Sequence, residues 1–305
     1  MEGCSRARIR PVRREDIPGL LHMKRSLRQL CGEASPQMLQ SLDPDGFLAA
    51  VSDGGQLCGG CSIAILSDSV ATVGFWCVLP ELRDSPLAEQ LLRAGLRRAG
   101  DRNVVLRSDG ATVRELQRTE LFPRVGRWLF HKVGPAQPCL DALPEKVEGV
   151  RVRDYNIHAH ADRVGSYATE ILKMPMREYL RAMSKQPGVG FKVAFEGNAL
   201  CGLGTIERDV GGCALVRHLL ANDLPRALVV LRSLIDDFPV ASSAGICMAA
   251  TGKRFPATSP RAEKEEHPAF FYEPLGLRYV STMLMSFTLR EPAIDYNRVF
   301  ALYTA

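Results

Sequence analysis

The sequence repeats itself. Gln56-Leu57-Cys58-Gly59-Gly60-Cys61-Ser62-Ile63 is matched by Ala199-Leu200-Cys201-Gly202-Leu203-Gly204-Thr205-Ile206, 143 residues later. At the same offset Ile9-Arg10-Pro11 stands opposite Val152-Arg153-Asp154. Leu121-Phe122-Pro123-Arg124-Val125-Gly126 is answered by Phe271-Tyr272-Glu273-Pro274-Leu275-Gly276, now 150 residues on. Each match is short, but all fall in one order, and so long a period points to a duplicated domain. A chain of 305 residues is about twice a typical domain, so two units with a core apiece are expected. Their expected boundaries are residues 1–134 and 150–305, joined by a linker at 135–149.

Local patterning reads alike in both units. In the first, strand Arg8–Val12 leads into helix Glu15–Leu30, then strands Phe47–Val51 and Leu57–Ser67 around the turn Asp53-Gly54-Gly55. Strand Val70–Leu79 follows, then a helix from Leu87 to Ala99 whose Leu87, Ala88, Leu91, Leu92, Leu96 and Ala99 recur at helical spacing. Strand Asn103–Ser108, a helix over Thr112–Glu120 and strand Arg127–Val133 complete the unit. Pro135, Pro138 and Pro144 predict an irregular linker. The second unit reads as strand Gly149–Arg153, helices Ala161–Leu172 and Arg177–Ser184, and strands Phe191–Glu196, Ala199–Arg208 and Cys213–Leu220. Helix Leu224–Phe238, with Asp223 as its N-cap, precedes strand Ala244–Ala250. A surface excursion over Gly252–Pro268, a helix at Ala269–Glu273, strand Arg278–Phe287 and a tail end the chain.

Composition removes several classes. Apolar residues are 46% and charged residues 24%, values of a folded globular chain rather than a disordered one. The net charge is +5, and it is spread thinly. Residues 1–148 hold 20 basic and 18 acidic groups, the rest 19 and 16. No Lys/Arg block suits a nucleic-acid partner, and no run of 18 apolar residues suits a membrane span. Nine cysteines without an apolar leader predict reduced thiols in an intracellular protein, expected in the cytoplasm.

Ile9-Arg10-Pro11 through Glu15-Asp16 resembles the opening strand and helix of the GNAT acyltransferase superfamily. Phe75-Trp76-Cys77-Val78-Leu79-Pro80-Glu81-Leu82-Arg83 is similar to that family's fourth strand and the approach to its pyrophosphate loop. Tyr272-Glu273-Pro274-Leu275-Gly276-Leu277 is similar to its late Tyr-x-x-x-Gly-Phe segment, with Leu277 in place of Phe. The resemblance implies an α/β fold (α+β in its mixed sheet) of two tandem GNAT-like acyltransferase domains, each with a splayed central pair of strands. It implies N-acyl transfer from acetyl-CoA or a related acyl-CoA, without a metal, to an amine of a small metabolite or peptide.

Acyl-CoA carries a pyrophosphate, which suits the free N–H groups and partial positive charge of a helix N-terminus. The family's loop is Gln/Arg-x-x-Gly-x-Gly/Ala, and the matching run here is Arg83-Asp84-Ser85-Pro86-Leu87-Ala88. Arg83 and Ala88 fit, whereas Pro86 replaces the central Gly and suits an ordinary helix start. Asp84 adds a negative charge, and Ser85 has a hydroxyl to offer. Val78, Leu79, Arg83, Asp84, Ser85, Leu87 and Ala88 are thus the expected cofactor-binding residues. The second unit's turn, Leu220-Ala221-Asn222-Asp223-Leu224-Pro225, has no Gly and no cation, so the cofactor is assigned to the first unit.

Acyl transfer to an amine needs a base for the ammonium proton and an acid for the leaving thiolate. The family's late tyrosine matches Tyr272, and His218 near the end of the fourth strand is a candidate base. The first unit has Phe122 where the tyrosine would stand. Cofactor and acid/base signals therefore fall in different units. A site between the units, or loss of chemistry leaving a GNAT-fold binding module, are the two ways to reconcile them. Cys58-Gly59-Gly60-Cys61 has the spacing of a metal or redox pair, but strand alternation predicts thiols on opposite faces. His158 and His160 lack a third ligand nearby, and Lys264-Glu265-Glu266-His267 reads as loop charge.

Overall fold

The computed structural model describes residues 7–83, 85–239, 244–251 and 275–303. The first half runs β1 (Ala7–Pro11), α1 (Ile17–Ser26), α2 (Ser35–Leu42), β2 (Phe47–Ser52), β3 (Leu57–Ile65), β4 (Val70–Val78), α3 (Leu87–Ala99), β5 (Asn103–Asp109), α4 (Gly110–Arg118) and β6 (Arg124–Gly134). After α5 (Ala136–Ala142) come β7 (Val150–Asp154), α6 (Ile157–Leu172), α7 (Arg177–Ser184), β8 (Val189–Glu196), β9 (Ala199–Arg208), β10 (Ala214–Ala221), α8 (Leu224–Asp236), β11 (Ile246–Thr251), β12 (Arg278–Phe287) and β13 (Val299–Leu302).

Three elements depart from the sequence pattern. The long first helix stops at Ser26, and Arg28 takes a left-handed φ of 52°. The chain then turns at Gly32, where a Cβ would sit 2.0 Å from the Glu207 carboxylate. Only a glycine lets the α1–α2 loop press so close to the second half. The Pro-rich linker holds helix α5, because Pro135 is its N-cap residue and Pro138 lies in its first turn, where no N–H is needed. The tail forms β13, whose Val299-Phe300-Ala301-Leu302 is entirely buried. The expected excursion Gly252–Pro268 and helix Ala269–Glu273 lie outside the described residues.

All strands join one 13-stranded sheet, ordered β1-β2-β3-β4-β5-β12-β6-β11-β13-β10-β9-β8-β7. The order contains an exchange. β12 of the second half lies between β5 and β6, while β6 of the first half pairs with β11. Each half's fifth strand is thus completed by the other half's sixth.

Each half also carries a splay. β4 and β5 run parallel only from Val70–Thr72 against Asn103–Val105, and β10 and β11 only from Ala214–Val216 against Ile246–Met248. A register shift just beyond leaves Gly74 extra on β4 and Arg217 extra on β10, 143 residues apart like the repeat. Such bulges bend a strand away from its neighbour.

Helices cover both faces. α3 lays Leu87, Leu91, Leu92 and Ala99 on β3 and β4, with Gly95 where a Cβ would come within 2.8 Å of Ile63. α8 does the same on β9 and β10 through Ala227, Val230, Leu231 and Leu234. On the opposite face α1, α2, α6 and α7 share one apolar cluster, in which Met38, Leu39 and Phe47 join Tyr179, Met183 and Val193. Cys58 and Cys61 both belong to the α3 cluster. A register shift at Cys58, between Leu57 and Gly59, adds a residue to β3, so strand alternation does not separate the two thiols.

Candidate active site

The two splays have different fates. In the second half β13 fills the gap, pairing Leu219 with Ala301 and Leu220 with Val299 on β10, and Ala250 with Ala301 on β11. In the first half the gap stays open among the described residues and leads into a cavity of about 1260 Å³. Its walls include Phe75 to Val78 on β4, Leu106 to Asp109 on β5, and the start of α3.

Four of the expected cofactor residues line this cavity: Val78, Arg83, Ser85 and Ala88. Arg83 is exposed and makes no ion pair among the described residues. Pro86 is the N-cap of α3 and offers no side-chain cap; the Leu87 N–H is taken by Ser85, which leaves the next first-turn N–H groups for an anion. Trp76 ties β4 to that turn, its Nε1 donating to the Ala88 carbonyl at 2.9 Å. Ser85 differs from expectation. Its hydroxyl donates to the Leu82 carbonyl at 2.6 Å and accepts from the Leu87 N–H at 3.3 Å, so its one proton is committed to the turn. Leu79 directs its N–H to the Cys58 carbonyl at 2.9 Å, and Leu87 is buried in the α3 cluster. Asp84 lies outside the described residues. In the second half Asp223 caps α8, accepting from the Arg226 N–H at 3.0 Å and pairing with its guanidinium, so that helix start is already satisfied.

His218 is not placed as a proton acceptor for substrate. It is fully buried, its Nδ1 lies 2.9 Å from the Thr205 hydroxyl, and its ring meets Tyr179 edge-on at 5.8 Å. The reason is β13, which pairs with His218 through Leu302. Burial first, then Arg217 and Arg107, hold the imidazole well below its ordinary value. The unfolded chain therefore takes up the proton first as pH falls. Stability should be full above about pH 6.5 and fall below it by up to about 1.4 kcal/mol per pH unit, until the folded-state pKa is reached. Urea unfolding between about pH 7.5 and pH 5 should show this extra slope in the parent relative to His218→Gln. Equal slopes would mean that His218 titrates as freely as in the unfolded chain. Tyr272 lies outside the described residues.

A different histidine stands at the open cavity. His131 on β6 lines it, with Nδ1 3.5 Å from the Ser281 hydroxyl on β12 and a buried Nε2 that has no partner among the described residues. Burial first and Arg107 second push it below the ordinary histidine value, which favours the neutral, proton-accepting form. The strand exchange puts it there, since β6 and β12 meet beside β5. Phe122 is fully buried in the α3 cluster and brings no hydroxyl.

No protein-family model matches the sequence, and no curated protein is similar enough in sequence to count as a match. Solved structures do match in shape. An acetyltransferase-like protein of Pyrococcus horikoshii is similar over 99% of this chain and 95% of its own, at 14% identity and a TM-score of 0.70. A tandem GNAT protein from the clavulanic acid biosynthesis pathway is similar over 92% of this chain and 98% of its own, at 14% identity and a TM-score of 0.60. A GCN5-related N-acetyltransferase from Sphaerobacter thermophilus covers 93% of this chain and 95% of its own, again at 14% identity, with a TM-score of 0.57. Open splay, bulged fourth strand and whole-length superposition agree: the chain has the mixed α/β fold of the GNAT acetyltransferases.

Proposed function

We propose that the protein is an N-acyltransferase in which the first half binds acyl-CoA, acetyl-CoA or a related thioester, along the open β4–β5 splay. The observation that carries this reading is the contrast between the splays: among the described residues one is open and flanked by Arg83 and the start of α3, the other is closed by the chain's own β13. The two halves are then tandem copies, with expected bounds 1–134 and 150–305, of which one keeps the cofactor slot. Arg83 and the first turn of α3 would hold the pyrophosphate, and the thioester supplies an acyl carbon open to attack. His131 would take the proton that the attacking ammonium must lose, and that proton can then go to the departing thiolate. The acceptor is an amine of a small metabolite or peptide. Among the described residues no helix is long and apolar enough to cross a membrane, and no His/Cys/Asp/Glu group is arranged for a metal. Among the described residues no disulfide is formed, in keeping with a reducing, cytoplasmic setting.

Arg83→Ala should weaken acetyl-CoA binding about ten- to more than a hundredfold and leave folding stability within about 0.5 kcal/mol. Arg97→Ala, exposed and far along α3, should change neither. Equal affinity of Arg83→Ala and parent in a titration would remove the cofactor from this loop. Pro86 and the buried Phe122 favour a second reading, an inactive GNAT-fold module. Release of free CoA with any amine would exclude it.

A further inference from the structure

Ser281 and His131 face each other across the exchanged strands. His131 sits on β6, whose backbone pairs it with Ala249 of β11 on one side and Ser281 of β12 on the other. Both residues line the open cavity, with the Ser281 hydroxyl 3.5 Å from His131 Nδ1. A bulge sets this register. Arg278 and Tyr279 pair with Val133 and Lys132 in turn, so the next step would bring Val280 opposite His131. Val280 is instead an extra residue, and Ser281 takes its place. Bulges that re-aim a side chain are over-represented beside active sites.

Most other hydroxyls on the cavity wall are engaged elsewhere. Ser85 donates to the Leu82 carbonyl, Thr112 to the Asp109 carboxylate, Thr119 to the Glu115 carbonyl and Tyr303 to the Leu30 carbonyl. Ser281 is exposed, and among the described residues it is the cavity's hydroxyl within reach of a histidine. A serine hydroxyl is a weak nucleophile until a neighbouring base takes its proton. His131 suits that task, because burial first and then Arg107 hold it below the ordinary histidine value and so unprotonated. With its ring proton on Nε2, Nδ1 accepts from Ser281. The separation of 3.5 Å is longer than a working hydrogen bond, as such pairs often are before substrate binds.

Resting on the acyltransferase reading, we propose that Ser281 is a nucleophile that carries the acyl group covalently between donor and acceptor, with His131 as its base. Ser281 Oγ forms a bond to the acyl carbon, and the carbon–sulfur bond breaks. The hydroxyl proton passes through His131 to the departing sulfur, so CoA leaves as the free thiol and an acyl ester remains on Ser281. An incoming amine then attacks the ester carbon and the carbon–oxygen bond breaks. His131 carries a proton from the amine nitrogen to Oγ, which takes the place of the thiolate as its destination. The sum is the same thioester-to-amide transfer, in two halves. Since β12 belongs to the second half of the chain, the open slot of the first half needs both halves to react.

CoA leaves before the amine is needed, so the test requires no knowledge of the acceptor. The full chain is incubated with acetyl-CoA alone, quenched in acid and mapped by peptide mass spectrometry. Ser281 should carry an acetyl group that neutral hydroxylamine removes, as it removes esters and not lysine amides, and free CoA should appear with it. Ser281→Ala should lose both, while acetyl-CoA affinity stays within about threefold. His131→Gln should slow the labelling about a hundredfold or more. Should His131→Gln not fold, the hydroxylamine-labile ester in the parent decides. A fluorophosphonate, which esterifies histidine-activated serines, should label Ser281 without any CoA present. A protein that binds acetyl-CoA yet shows neither the ester nor Ser281-dependent release of CoA would overturn the proposal. So would acetylation confined to lysine amides, or Ser281 labelling that a folded His131→Gln leaves unchanged. Failure of acetyl-CoA to bind would instead sink the acyltransferase reading, and the fluorophosphonate would then decide whether Ser281 is an activated nucleophile.

Discussion

Glu207→Ala should destabilise the protein by about 3–5 kcal/mol, a large part of the 5–15 kcal/mol that holds a typical domain together. Arg217 and Glu207 are each 1% exposed and lie 2.6 Å apart. The carboxylate also accepts from the Ala34 N–H at 2.9 Å, while the guanidinium donates to the Ser35 hydroxyl at 3.0 Å, the Tyr179 hydroxyl at 2.6 Å and the Tyr303 carbonyl at 3.3 Å. Those partners come from the α1–α2 loop, the start of α2, α7 and the C-terminal segment, so the pair clasps both halves together. Removing the carboxylate strands a buried cation and leaves a buried N–H without its acceptor. Urea unfolding measures the loss. Arg217→Met in the Glu207→Met background should recover much of it, because an uncharged pair of similar volume has no desolvation penalty. No recovery would show that lost packing, not the stranded charge, sets the cost.

Truncation before Val299 should be more severe still. Val299, Phe300, Leu302 and Tyr303 are each 6% exposed or less. Fully burying a large apolar side chain contributes about 1.5–3 kcal/mol, so four of them approach the whole stability of a domain. The truncated chain should lose its cooperative unfolding transition, monitored by circular dichroism against denaturant. A truncated chain that unfolds like the parent and binds a second equivalent of acetyl-CoA would show that β13 is a removable plug rather than part of the core.

Local features of this fold were legible in the sequence, and pairings between distant segments were not. The hairpins, α3, α8 and the N-cap at Asp223 follow from turn chemistry and helical periodicity. The α1–α2 break was hidden because Gly32 is required by Glu207, a contact 175 residues away in the chain. His218 carried a base's ordinary pKa in the sequence, yet a tail strand seals it. The apolar run Val299-Phe300-Ala301-Leu302 was the available signal for that buried strand. His131 gave no sign at all, since its place beside β5 depends on which half's strand arrives there. That Arg83 and Ala88 stand beside a helix start was legible because a loop next to a helix start is a local object.

The strand exchange makes this chain resemble a dimer written as one polypeptide. β12 separates β5 from β6, and β6 in turn carries β11, so each half finishes a sheet that it does not own. A single ancestral unit with this arrangement would have left a fifth strand with a bare edge, a surface that recruits another chain. Two halves lending each other their sixth strands close both edges at once, as domain swapping does. Among the described residues one half has an entrance between its central strands, while in the other the chain's own end occupies that place.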